Sequence, residues 1–299
     1  IAASIMSKKL ASGSDKIVLD VTVGSGAFMK NIDDAICLAQ RMVEIGENAG
    51  RQTVAILTNM DVPLGEAVGN DIEVVEAIET LQGKGSEDFR QICVEFAAYM
   101  LYLGEIADLE TSRKMVEDAI DYGKGIDKLA AMVKAQGGDE SYIYHPEKFE
   151  KAPYQKDFVM KKSAYIKSMD TEKCGKTSVV LGAGRETKES QIDSKAGLRF
   201  YHKTGEYVKQ GEVLARLYAS DEEKLNQAVQ YLKTAYKYSD TPAVKASLAA
   251  IVPYIPLAFL FFYSIKAFTP DCKPQRQNLS RSASGFPVWS RPTGQDGPR

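Results

Sequence analysis

Histidine, cysteine and tryptophan are scarce, and no charge sign dominates. Among 299 residues only His145 and His202 carry imidazole. Each sits in a charged, loop-like stretch without an obvious partner, so neither makes a good general acid or base. The four cysteines, Cys37, Cys93, Cys174 and Cys272, lie far apart and show no Cys-x-x-Cys or Cys/His spacing. That excludes a structural zinc cluster and a disulfide framework, and leaves reduced, buried thiols of a cytosolic protein as the expectation. Net charge is −2, and lysines alternate with acids instead of clustering; a polyphosphate backbone has no electrostatic footprint to recognise, so no nucleic-acid partner is expected. No basic stretch followed by an apolar run opens the chain, so no secretory signal is visible. The first residues already read as the middle of a helix, and the expectation is a chain cut before its N-terminal third.

What is present is a well-mixed globular composition, 44% apolar and 26% charged, in a chain long enough for two domains with sizeable cores. Residues 1–11 carry a helical apolar stripe. Residues 16–21 (KIVLDV) form a β-branched run that feeds into Thr22-Val-Gly24-Ser-Gly26. Residues 33–48 turn helical, and residues 52–58 (QTVAILT) read as a second strand. Strand, glycine loop, helix, strand is a βαβ unit. After a turn-rich stretch at 60–70, helical periodicity runs to about 136, broken at 83–85, 104 and 123–125, as expected of helices covering a mostly parallel sheet. Residues 141–152 read as a linker. Residues 154–219, short apolar pieces separated by glycines, predict a β-rich second domain closed by a helical pattern over 221–238. Residues 246–265 carry no charge but contain Pro253 and Pro256, which weakens a membrane-spanning helix; from 270 onward the composition predicts disorder.

Several ordered blocks carry a resemblance. IAASIMSKK at 1–9, IVLDVTVGSGAFM at 17–29, PLGEAVGN at 63–70 with EVVEAI at 73–78, AQGGD at 135–139 and LGAGRETK at 181–188 closely resemble the thymidine and pyrimidine-nucleoside phosphorylases. The resemblance spans about residues 1–242. It implies an α/β fold, a mostly parallel sheet covered by helices with a C-terminal β-rich, barrel-sandwich-like domain. Residues 1–12 would be the last helix of a helical domain, 13–145 the α/β domain, 146–242 the β-rich domain, and 243–299 a non-family tail. It also implies a cytoplasmic homodimer that uses inorganic phosphate to split pyrimidine (deoxy)nucleosides into base and (deoxy)ribose 1-phosphate, in nucleoside salvage.

Ser4 and Lys8 are one helical turn apart, as are Ile1 and Ile5, so a hydroxyl, an ammonium and two apolar walls share a helix face. The resemblance implies that Lys8 and Ser4 contact the pyrimidine and that Ile1 and Ile5 wall its pocket. It implies a potassium site at Leu64, Ala67 and Glu76, through two carbonyls and a carboxylate, oxygen ligands that suit a hard cation. Phosphate is implied to bind mainly upstream of Ile1, as are an arginine and an acid histidine, so this chain alone is expected to be inactive. Gly24-Ser-Gly26 is read as tight packing in preference to a phosphate cradle, and Thr22 stands where family members commonly carry lysine.

Two other readings compete. Anthranilate-type phosphoribosyltransferases share the overall fold without the LGAGRETK block. The stretch KTGEYVKQGEVL at 203–214 resembles the hairpin of biotinyl and lipoyl carriers, but residues 217–224 (LYASDEEK) lack the Met-Lys-Met turn that presents the modified lysine in such carriers, so a structural β element is preferred. The charge-free segment as a membrane anchor is a further reading, and is not favoured.

Overall fold

A computed structural model describes residues 1–243 and the short strand Pro253–Tyr254. Helix α1 (Ala2–Ala11) turns its apolar stripe onto helix α2 (Ile32–Asn48), and Met6 at their junction is completely buried. Strands β1 (Lys16–Val23) and β2 (Gln52–Asn59) pair in parallel from Lys16↔Gln52 to Val23↔Asn59. A parallel pair needs a crossover, and α2 supplies it, opening on Asn31, whose side chain accepts the Asp34 N–H.

Alternation along the two strands sorts the core. Ile17, Leu19, Val21, Ala55 and Leu57 face α1 and α2, whereas Val18, Val54 and Ile56 pack with Tyr99 and Leu103 on the opposite face. Covering both faces explains why these strands read as nearly continuous apolar runs.

Strand β3 (Ala67–Gly69) is followed by helices α3 (Asp71–Leu81), α4 (Glu87–Leu103), α5 (Leu109–Asp121) and α6 (Lys124–Ala135), with breaks where the glycines predicted them. The 141–152 stretch, read as a linker, contains a single helical turn, α7 (Ser141–Tyr144), and a 3-10 turn, Pro146–Lys148; Ile143 is buried with Ile78, Ile126 and Ala130.

Next come β4 (Tyr154–Val159), β5 (Ala164–Met169), α8 (Thr171–Leu181), β6 (Gly197–Phe200), β7 (Tyr207–Val208), β8 (Val213–Ala219), α9 (Glu222–Leu232) and β9 (Tyr236–Ser239). Two sheets, β3-β6-β8-β4 and β7-β5-β9, contribute to one core around Phe200, Leu198, Leu214 and Leu217. Three details depart from the sequence reading. Within the stretch expected to be β-rich lies α8, capped by Asp170 at its start and by Gly182 beyond its end. Its buried residues are Thr171, Cys174, Thr177, Ser178 and Leu181; only the last is large and apolar, so the helix draws no continuous apolar stripe. The helical pattern of 221–238 stops at Leu232, and Tyr236–Ser239 returns as a strand beside β5. The turn-rich 60–70 stretch yields β3, which pairs with β6 and so joins the second sheet.

Strand β10 (Pro253–Tyr254) pairs antiparallel with β2. The rest of the charge-free stretch 246–265 and the tail beyond 270 lie outside the described residues. Among the described residues no helix is long and apolar enough to cross a membrane. Of the cysteines, Cys93 and Cys174 carry free thiols, the latter buried.

Candidate active site

A cavity of about 610 Å³ opens between α1 and the β1 strand. Ile1, Ile5 and Lys9 line it from the helix, Asp20 and Thr22 from the strand, and Phe28 from the loop that follows. Phe28 is 74% exposed, a large apolar ring left at a cavity mouth without packing of its own. Rotation of about 100° per residue places Ser4, Lys8, Ile1, Ile5 and Lys9 in that order around one arc of roughly 140°. Ile1 and Ile5 therefore wall the cavity, while Ser4 and Lys8 are exposed on the adjoining rim. The four residues singled out from sequence share a face, but Lys9, not Lys8, is the lysine in the lining.

Asp20 is the one acid in that lining. It accepts a hydrogen bond from the Thr58 hydroxyl at 2.6 Å, reached because residues two apart on parallel neighbours share a sheet face. Asp20 stays accessible to solvent, yet partial desolvation by the surrounding protein raises its pKa above the ordinary 3.8, and the Thr58 bond only partly offsets this. Sequence reasoning missed Asp20, although a lone acid inside KIVLDV was the available signal.

The glycine loop has no donors to spare. Gly24 N–H binds the Met29 carbonyl at 2.9 Å, Gly26 N–H the Met60 carbonyl at 2.9 Å, Ala27 N–H the Gly24 carbonyl at 3.1 Å, and Ser25 N–H the Asp61 carboxylate at 2.7 Å. Gly24 adopts φ +132°, and a side chain there would meet the Asp61 nitrogen at 2.7 Å. Close packing, not an open anion nest, is what this loop builds.

The Pro63–Ala67 turn forms a second centre. Glu76, 6% exposed in α3, points up into it and accepts the Glu66 N–H at 2.5 Å and the Ala67 N–H at 3.1 Å. Gly65 passes so close that a Cβ would lie 2.5 Å from Glu76 Oε2. Burial raises the Glu76 pKa, partly countered by those two N–H bonds. Phe200 N–H binds the Glu66 carbonyl at 2.7 Å, so antiparallel alternation turns the Ala67 carbonyl away from β6. A buried carboxylate without an ion-pair partner among the described residues, beside backbone carbonyls, fits a weakly hydrated monovalent cation. Among the described residues there is no cluster of three His, Cys, Asp or Glu that would hold a transition metal. Leu64, Ala67 and Glu76 also border a cavity of about 780 Å³ shared with Gly26, Thr171 and Lys176.

Lys203, from the hairpin likened to a carrier turn, is also engaged at this centre. Its ammonium binds Asp88 Oδ2 at 2.6 Å and the Pro63 carbonyl at 3.1 Å, with side-chain exposures of 15% and 9% for the pair. Burial alone would raise Asp88, but the Lys203 charge and hydrogen bond hold its carboxyl below the usual range.

Residues 2–126 match a family model described as the glycosyl transferase family a/b domain, and residues 165–239 match the pyrimidine nucleoside phosphorylase C-terminal domain. The second match includes the LGAGRETK block at 181–188. A pyrimidine-nucleoside phosphorylase of Geobacillus stearothermophilus is 44% identical over 249 residues, 83% of this chain and 57% of that protein. One from Staphylococcus aureus (strain bovine RF122 / ET3-1) is 43% identical over 241 residues, 80% of this chain and 55% of its own length. One from Staphylococcus epidermidis (strain ATCC 12228 / FDA PCI 1200) is 46% identical over 224 residues, 75% of this chain and 52% of its own length. The chain thus spans a little over half the length of the curated relatives it matches. Two family models in chain order over most of the described residues, and an identity near 44% sustained across both, lead to one conclusion: this chain belongs to the pyrimidine-nucleoside phosphorylase family of glycosyltransferases.

Proposed function

We propose that the α1 face and its cavity form the base-binding part of a pyrimidine-nucleoside phosphorylase acting in nucleoside salvage. In the reaction a phosphate oxygen bonds to the anomeric carbon while the glycosidic C–N bond breaks and its electron pair leaves with the pyrimidine. Carbocation character grows on the sugar and negative charge on the base. Ile1 and Ile5 would sandwich the flat ring, and Lys8 and Ser4 on the rim would donate to its carbonyl oxygens as charge develops. The observation that carries this reading is the single helical arc on which two cavity-lining isoleucines adjoin a hydroxyl and an ammonium.

The Leu64 and Ala67 carbonyls with Glu76 would hold potassium. When bound, the ion would supply the positive charge that the buried carboxylate lacks. Assembly as a homodimer and a cytoplasmic location follow from family likeness and belong to the same proposal, as does acceptance of uridine, thymidine or both. The phosphoribosyltransferase alternative would take a phosphoribosyl diphosphate instead of a nucleoside.

Ligand-observed NMR on this 299-residue chain tests the assignment. Saturation transfer to uracil or thymine, weakened in Ile5→Glu and in Lys8→Ala, supports it. Base binding indifferent to both substitutions, or transfer only to a phosphoribosyl diphosphate, would overturn it.

A further inference from the structure

The turn that carries Leu64 and Ala67 is gripped from outside the α/β region. Lys203 lies in the turn that connects β6 to β7, stiffened by Glu206, whose carboxylate accepts the Lys203 N–H at 3.1 Å and pairs with His202 Nδ1 at 2.9 Å. From there its ammonium reaches the Pro63 carbonyl, at the start of the turn, and Asp88 in the first turn of α4. Four residues earlier, in β6, Arg199 binds Glu66 and Glu79, each at 3.0 Å. The turn is thus fastened at Pro63 by Lys203 and at Glu66 by Arg199 and the Phe200 N–H, with Leu64 and Gly65 bridging the two fastenings above Glu76.

We infer that Lys203 is a positioning residue: through Pro63 and Asp88 it sets the shape of the Pro63–Ala67 turn, so the β-rich domain determines the geometry of a site whose proposed ligands all lie in the α/β domain. The functional meaning rests on reading that turn as a cation site; the mechanical claim does not. An ammonium is suited to the task. It is a compact charge with several rotatable donors, able to satisfy a carboxylate and a carbonyl that face it from different directions. Removing it would leave the Asp88 carboxylate buried and uncompensated, and the Pro63 carbonyl without its donor.

Residue-resolved hydrogen exchange on the full 299-residue chain tests this. In Lys203→Met the Glu66 and Ala67 amides, which depend on the shape of the turn to meet Glu76, are expected to exchange at least about tenfold faster, while Leu198, Leu214 and Leu217 in the β-domain core stay within about twofold. Lys203→Arg, which keeps the charge at Asp88, should restore part of the protection. Unchanged exchange at Glu66 and Ala67, or equal acceleration in the β-domain core, overturns the inference, because the lysine would then be at most general adhesive between the two regions. Should Lys203→Met fail to fold, Asp88→Asn replaces it, with the same selective pattern expected and the same uniform or null result overturning it. Potassium chloride against choline chloride separates the two claims. Slower Glu66 and Ala67 exchange with potassium in the unsubstituted chain supports the cation reading, and no effect sinks that reading while the Lys203→Met comparison decides the inference.

Discussion

Gly24→Ala is the sharpest single test of how tightly the loop beside the cavity is built. Gly24 sits at φ +132°, where a side chain is strained whatever space surrounds it, and the added Cβ would stand 2.7 Å from the Asp61 nitrogen and 2.8 Å from its carboxylate oxygen. The Met60–Asp61 backbone must retreat, and with it the acceptors of Gly26 N–H and Ser25 N–H. Backbone strain of about 1–3 kcal/mol and overpacking of similar size give roughly 2–6 kcal/mol, reduced to about 1–5 kcal/mol by the stiffer unfolded chain of the alanine variant. At a urea slope of about 2 kcal/mol per molar the midpoint should fall by about 0.5–2.5 M. Hydrogen exchange of α2 and β1 segments along a urea series reads this for the α/β core separately from the β domain. Gly50→Ala is the control: φ is +72°, but nothing lies within 4 Å of the new Cβ, so only a conformational cost of about 1 kcal/mol remains. Equal midpoints for Gly24→Ala and Gly50→Ala would refute the packed-loop argument.

Phe200 is fully buried at the junction of the two β-domain sheets, and Phe200→Ala should cost about 3–5 kcal/mol, seen as early unfolding of the β domain while α2 and β1 amides keep most of their protection. Asp20 carries a raised folded-state pKa, so the wild type loses stability as pH climbs from 3.8 through that raised value; Asp20→Asn lacks this loss, and its melting temperature should gain on the wild type as pH rises across that window. Asp88 has the opposite sign. Its folded-state pKa is lowered, so its contribution is present above 3.8 and fades as pH falls through the depressed value. Asp88→Asn should therefore be less stable at neutral pH, by about 3 kcal/mol for a broken buried pair, with the gap to wild type closing in acid; a gap independent of pH would contradict the pairing with Lys203.

Where a residue's neighbours are also its neighbours in sequence, the sequence told most of the story. The apolar runs of β1 and β2, the helical stripe of α2 and the glycine breaks between α3 and α6 all fall where periodicity put them. So does the shared face of Ile1, Ser4, Ile5 and Lys8, since helical rotation alone arranges it. Contacts between distant segments stayed hidden. Nothing local in Ala67–Gly69 signals a partner 130 residues away in β6, and nothing in KTGEY tells that Lys203 will enclose its charge against Asp88. Helix α8 was missed because, Leu181 apart, the side chains it buries are small or polar, and Asp20 because a single acid in a strand looks the same whether it faces water or a cavity.

Phosphate-dependent release of base from uridine and thymidine tests the central claim most directly, measured on this chain extended to the length of its relatives and on its Lys8→Ala variant. The account calls for sugar 1-phosphate and free pyrimidine formed in equal amounts only when phosphate is present, with kcat/KM falling at least about tenfold on losing the Lys8 charge. Base release that ignores phosphate, or kinetics that ignore Lys8, would contradict it.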